Sequence, residues 1–258
     1  MKKLWRMVKW LVLFLYLFIV LGMVNSKREA TPCRAIQTTI LDSVSIHFVS
    51  EKDMSDLILN KYGKILGTQI SHVNSGKIEK LAKTNPFVAH AEVYKDIEGT
   101  LHLNINQRHP VARILRPHAP DAYLDRDGIL LKAPEGKPVY TLIISGYTKL
   151  KSNMINQSVK KLPTGHPLSG AYRIATFIDS ASFWKNQIEQ LYIDHNSEFW
   201  MTPRAGAHRI LLGSPDHYRW KFKKLHLLYT HGLNNLGWNQ YEIINLKYSN
   251  QVVCVKRK

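Results

Sequence analysis

The chain has 258 residues, 45% of them hydrophobic, with 36 Lys plus Arg against 19 Asp plus Glu and a formal net charge of +17. That apolar share excludes a disordered chain and suffices for one large core or two modest ones once the first thirty residues are set aside. The basic excess admits an acidic partner surface, but the basic residues are scattered and carry no RNA-recognition or zinc-finger signature, so the reading is a solvated basic face and no nucleic acid.

The N-terminus opens with Lys2, Lys3, Arg6 and Lys9, then runs uncharged from Trp10 to Val24. As a helix that run reaches about 22 Å against about 30 Å of hydrocarbon, the length of a cleaved signal peptide. Counted from Leu4, with Arg6 and Lys9 snorkelling to headgroups, it reaches about 31 Å and spans. The expectation is a cytoplasmic tail over 1–9, a transmembrane anchor over 10–26 and a linker over 27–42, with the bulk of the chain extracytoplasmic.

Val44, Ile46 and Phe48 then predict a strand. Ser50 caps a helix carrying Met54, Leu57, Ile58 and Tyr62, broken at Gly63 and Gly67. Asn74 or Ser75 caps a second helix with Ile78, Leu81 and Ala82 on one face. Val88 to Lys95 and the alternating run Leu101, Leu103, Ile105 predict a hairpin turning through Asp96 to Gly99. Three strands and two helices over 43–108 make a small layered α+β domain.

Over 109–258 the pattern predicts a β-rich distal domain with flanking helices. Asp127-Gly128 turns a hairpin in AYLDRDGILL, and VYTLIISGY is a further strand. Ser169 starts a helix bearing Tyr172, Ile174, Ala175 and Ile178. QIEQLYID, SEFWMTP and HRILLG follow as a three-strand meander. Ser214-Pro215-Asp216 starts a helix with Tyr218, Phe222, Leu225 and Tyr229 on its apolar face, closed by Gly232. Two strand-like runs around Ser249-Asn250 end the chain.

Catalytic chemistry finds little purchase. Ser158 with Lys161 and Ser182 with Lys185 match Ser-x-x-Lys, but the accompanying Ser-Asp-Asn and Lys-Thr-Gly elements are absent, as are Gly-x-Ser-x-Gly and His-Glu-x-x-His. His226 and His231, five apart, do not share a helix face. Cys33 and Cys254 do not make a disulfide framework. The expectation is no enzyme, no cofactor, no metal and no small-molecule substrate.

Several motifs carry a family resemblance. They are Asn85-Pro86-Phe87-Val88 followed by Ala91 and Val93, Thr100-Leu101 through Gln107-Arg108-His109-Pro110-Val111-Ala112, Tyr123-Leu124-Asp125 with Gly128, Leu212-Gly213, and Ile244-Asn245-Leu246-Lys247-Tyr248. Together with the layout, they resemble the FtsQ family of bacterial cell-division proteins, called DivIB in Gram-positive bacteria. The sequence departs from the family's habit at Phe87, Gln107, Asn245 and Lys247. Lysine at 247 lacks the two-pronged carboxylate grip of arginine.

The resemblance implies an α+β fold: a single N-terminal transmembrane helix, a small POTRA-type (polypeptide-transport-associated) β-α-α-β-β domain and a distal β domain. It implies a non-catalytic scaffold at the division septum of the cytoplasmic membrane, with FtsB-like and FtsL-like partners and, indirectly, the septal peptidoglycan synthase. The family's partner strand adds at the far end of the β domain. That role falls on Lys247, Tyr248, Ser249 and Asn250, and on Val252, Val253, Cys254 and Val255. The alternative is a POTRA-bearing component of an outer-membrane assembly or secretion system.

Overall fold

The computed structural model describes residues 5, 9–20, 31–41, 48–134 and 139–257. Residues 9–20 are helical, and Trp10, Leu13, Phe14, Leu17 and Phe18 on it are all exposed. Among the described residues no helix is long and apolar enough to cross a membrane. Part of the expected anchor, 21–26, lies outside them. From there the chain divides into two units, Met1–Gln107 and Arg108–Lys258.

In the first unit the alternation from Leu101 to Ile105 becomes a hairpin, β2 (Val88–Lys95) with β3 (Thr100–Gln107), in which Ala91 faces Ile105 and Val93 faces Leu103. Leu101, Leu103 and Ile105 are fully buried. Asp96 shapes the turn by accepting from the backbone N–H of Glu98 at 2.9 Å and of Thr100 at 2.7 Å. Gly99 adopts φ +93°, and a Cβ there would run into the carbonyl of Pro32, so the turn requires glycine.

Helix α1 (Glu51–Tyr62) begins where Ser50 Oγ accepts from the N–H of Asp53 at 3.0 Å, and it buries Met54 and Ile58. Helix α2 (Ser75–Ala82) is capped by Asn74 Oδ1 on the N–H of Lys77 at 3.0 Å and buries Ile78 and Ala82. Tyr62 Oη accepts from the N–H of Asn74 at 2.7 Å and ties the two helices together.

The first strand differs from expectation. β1 is Ala35–Ile40, inside the segment read as linker, and it pairs parallel with β3 to give the order β1-β3-β2. Of the strand expected around Val44 and Ile46, residues 42–47 lie outside the described residues, while Phe48 and Val49 form a bend. The most buried position of β1 is a threonine, Thr38, beside the partly buried Ile36, and its Oγ1 meets Ser55 Oγ at 2.9 Å. A satisfied hydroxyl replaces the apolar signal there. Gln107, one of the departures from the family pattern, accepts through Oε1 from the N–H of Val49 at 2.9 Å.

Among the described residues the second unit is built on nine strands. They are β4 (Pro110–Ile114), β5 (Ala122–Asp125), β6 (Leu130–Lys132), β7 (Leu142–Gly146), β8 (Ile188–Ile193), β9 (Phe199–Pro203), β10 (Arg209–Gly213), β11 (Tyr241–Asn245) and β12 (Val253–Lys256). Their order is β12-β11-β10-β9-β8-β7-β4-β5-β6. The β5–β6 hairpin and the β8-β9-β10 meander form as expected. Three neighbouring pairs, β4–β7, β7–β8 and β10–β11, are parallel and so need crossovers. Helices α3 (Pro167–Ser180) and α4 (Ser182–Gln187) connect β7 to β8, and α5 (Tyr218–Leu227) lies between β10 and β11.

Both long helices start at other residues than expected. α3 begins two residues before Ser169, with Pro167 at its first turn and His166 Nδ1 accepting from the N–H of Leu168 at 3.2 Å. α5 begins at Tyr218 after His217, which sits at φ 51°. The Ser214 carbonyl instead receives the ammonium of Lys221 at 2.8 Å. Gly232 does not close the helix. The chain continues through a π turn, Leu228–Leu233, which buries Tyr229 and Leu233, and stops at Gly237 with φ +93°.

The core beneath these helices is largely aliphatic and holds an aromatic cluster. Phe222, 1% exposed, lies 4.9 Å between ring centroids from both Phe177 and Trp184. Tyr229 Oη meets His208 Nε2 at 2.8 Å, both groups buried. Burial pushes the His208 imidazole below its usual range, and burial with Lys149 and Lys151 does the same to His166. The unfolded chain takes up these protons below about pH 6.5 while the folded one resists, so stability falls as pH drops through that value. A urea midpoint lower at pH 5.5 than at 7.5, with a shallower slope in His208→Gln, is the expected result. An unchanged slope contradicts it.

The edge strand of the distal sheet

β11 and β12 form an antiparallel hairpin in which Ile243 faces Val255, Ile244 faces Cys254 and Asn245 faces Val253. Alternation sends Val252 and Cys254 against the core, while Val253 and Val255 are exposed. Cys254 and Cys33 are free thiols, and burial raises the pKa of each. Among the described residues β12 has a strand neighbour on one side only. The N–H of Arg257 donates to the Gln240 carbonyl at 2.9 Å. Because backbone groups alternate along a strand, the N–H groups of Val253 and Val255 turn toward β11 and those of Cys254 and Lys256 turn outward.

The opposite edge of the sheet is closed. Leu130 of β6 donates to Gln157 at 3.0 Å and accepts from Asn156 at 2.6 Å, and Ile129 bridges to Ser158.

The turn from Leu246 to Gln251 contains the other residues singled out in the sequence. Lys247, Tyr248, Ser249 and Asn250 are all exposed. The Lys247 ammonium binds the Glu198 carboxylate, whose hydrogen bond and charge raise the lysine pKa. Gly213, at φ +73°, leaves room for the Lys247 stem, since a Cβ would come within 2.7 Å of Lys247 Cγ. A cleft of about 400 Å³ between this turn and the start of α5 is lined by His217, Trp220, Lys221, Lys224, Lys247 and Tyr248 among others.

Sequence reasoning missed three residues of this region: Glu198, Trp220 and Lys224. The Lys224 ammonium donates to the carbonyls of Leu246 at 3.4 Å, Tyr248, and Gln251 at 3.2 Å. The Trp220 indole N–H donates to the Ser249 carbonyl at 3.1 Å. Trp220 and Lys224 stand four apart in HYRWKFKKLH, and that spacing on one helix face was the available signal.

Elsewhere, Asp179 gathers Arg126 at 2.8 Å, Lys185 at 2.8 Å and His109 at 3.6 Å. Burial opposes its charge, but the hydrogen bonds from His109, Lys185 and Arg126, with the charge of Lys185, outweigh it and hold the carboxyl far below its usual range. Lys185, the lysine of the second Ser-x-x-Lys match, is thereby occupied. Ser158, of the first, accepts from the N–H of Lys160 at 3.3 Å. Among the described residues no group of three or more His, Cys, Asp or Glu side chains could hold a metal ion.

Comparison with known proteins agrees with this architecture. A family model described as FtsQ/DivIB, C-terminal related, matches residues 109–255, and one for a POTRA-like domain matches residues 31–106. The cell division protein FtsQ of Geotalea daltonii is 26% identical over 184 residues, which cover 69% of this chain and 62% of that protein. The match thus spans less than two thirds of that relative's length. The FtsQ/DivIB model covers more than half of the chain and all nine strands of the distal unit but the last residue of β12, and the chain belongs to the FtsQ/DivIB family.

Proposed function

We propose that the protein is a non-catalytic bitopic scaffold of the division machinery, which binds an FtsB-like partner by adding that partner's strand to β12. The observation that carries this reading is the inequality of the two sheet edges: β6 is closed by residues 156–158, and β12 is open. An open edge offers a row of backbone donors and acceptors to an incoming strand. Val253 and Val255 supply apolar contact beside it, and Tyr248 an amphipathic one. Lys247 already holds Glu198, so an acidic side chain of the partner has to share that ammonium.

FtsL-like protein and the septal peptidoglycan synthase follow as associates through the FtsB-like chain. The anchor reading draws support from the apolar side chains exposed around residues 10–19, a surface that suits lipid better than water. A mature protein that retains Met1 or the residue after it is expected by mass spectrometry. A mature terminus at Lys27 would mean a cleaved signal peptide.

The experiment for the function is depletion in dividing cells with a tagged functional copy followed by microscopy. Septal enrichment and filamentation on depletion are expected. A uniform envelope signal with normal division defeats the proposal, and co-purification with a transmembrane barrel points to the assembly or secretion alternative.

A further inference from the structure

The turn that leads into β12 exposes every side chain from Lys247 to Gln251. A polar turn of this kind samples many backbone conformations unless something outside it holds the carbonyls. One ammonium reaches three of them: Lys224 donates to Leu246, Tyr248 and Gln251. The carbonyl of Ser249, between them, takes the indole N–H of Trp220. Both donors project from one face of α5, a helix fixed to the core by Phe222 and Leu225. Lys224 makes no ion pair among the described residues, so its donors serve the turn rather than a carboxylate.

We propose that Lys224, assisted by Trp220, is a positioning residue for the edge: it orders the 246–251 turn and thereby holds β12 extended before any partner arrives. A pre-ordered strand spares the complex the entropy of straightening it on binding. The consequence for partner capture rests on the strand-addition reading above, whereas the ordering of β12 does not.

Hydrogen exchange of the full-length protein in detergent micelles separates the two. Within 247–256, Lys224→Met should speed exchange of the amides that face β11, those of Val253 and Val255, about tenfold, the scale of one lost charged hydrogen bond, and leave β8 and β9 unchanged. Lys224→Arg, which still offers several donors, should restore most of the protection. Trp220→Phe keeps a ring at an exposed position without the N–H, and should give a smaller rise in the same segment. Unchanged exchange in 247–256, or a rise spread equally over β8 and β9, overturns the proposal. Should Lys224→Met fail to fold, Trp220→Phe decides by the same criterion. An ordered β12 in a wild-type protein that captures no partner defeats the strand-addition reading and leaves the ordering role standing.

Discussion

Lys256→Pro is expected to lower capture of the proposed FtsB-like partner at least about tenfold while leaving the fold intact. The N–H of Lys256 turns away from β11, so proline removes a donor from the open side without breaking the existing ladder, and an edge position tolerates it. What is lost is one backbone hydrogen bond of about 1 kcal/mol, together with the close approach that the proline ring obstructs. Affinity measured on the full-length protein in detergent, beside its circular dichroism spectrum, checks this. Equal affinity in a folded variant means that the partner does not pair with β12.

The second large effect concerns stability. Phe222→Ala should destabilise the distal unit by about 3–5 kcal/mol, a large share of the 5–15 kcal/mol that typically separates folded from unfolded chains. Phe222 fills the space between Phe177 and Trp184, and neither α3 nor α4 can close the gap without leaving the sheet they cover. Denaturant unfolding followed by tryptophan fluorescence reads it directly, because Trp184 lies against the deleted ring. A loss below about 1 kcal/mol would show that the core collapses around the cavity.

How much of this was legible in the sequence depended on how local each cause was. The caps at Ser50 and Asn74 act within three residues, and the β2–β3 hairpin announces itself through alternation and a glycine turn. β1 was missed because its most buried position is Thr38 and because its parallel partner, β3, lies some sixty residues on. The shifted starts of α3 and α5 have a common origin. Ser169 and Ser214 have the chemistry of caps, but His166 takes the first role and the Ser214 backbone binds Lys221 instead.

The C-terminal strands were readable as strands. What lay beyond reach was the closure of the β6 edge by residues 156–158 and the grip of Lys224 on carbonyls 22 to 27 positions later. The same aromatic and basic run that reads as core plus solvated face also carries the two donors that hold the turn. Phe222 and Leu225 face inward, and Trp220 and Lys224 face Leu246 to Gln251.

The most direct test of strand addition places a photocrosslinking amino acid at Val253, whose side chain is exposed on the open strand, in the full-length protein in dividing cells. A second copy carries it at Lys132 on the closed edge. The account predicts an adduct with an FtsB-like division protein from position 253, diminished by Lys256→Pro, and none from position 132. An adduct from position 132 with none from position 253 would contradict it.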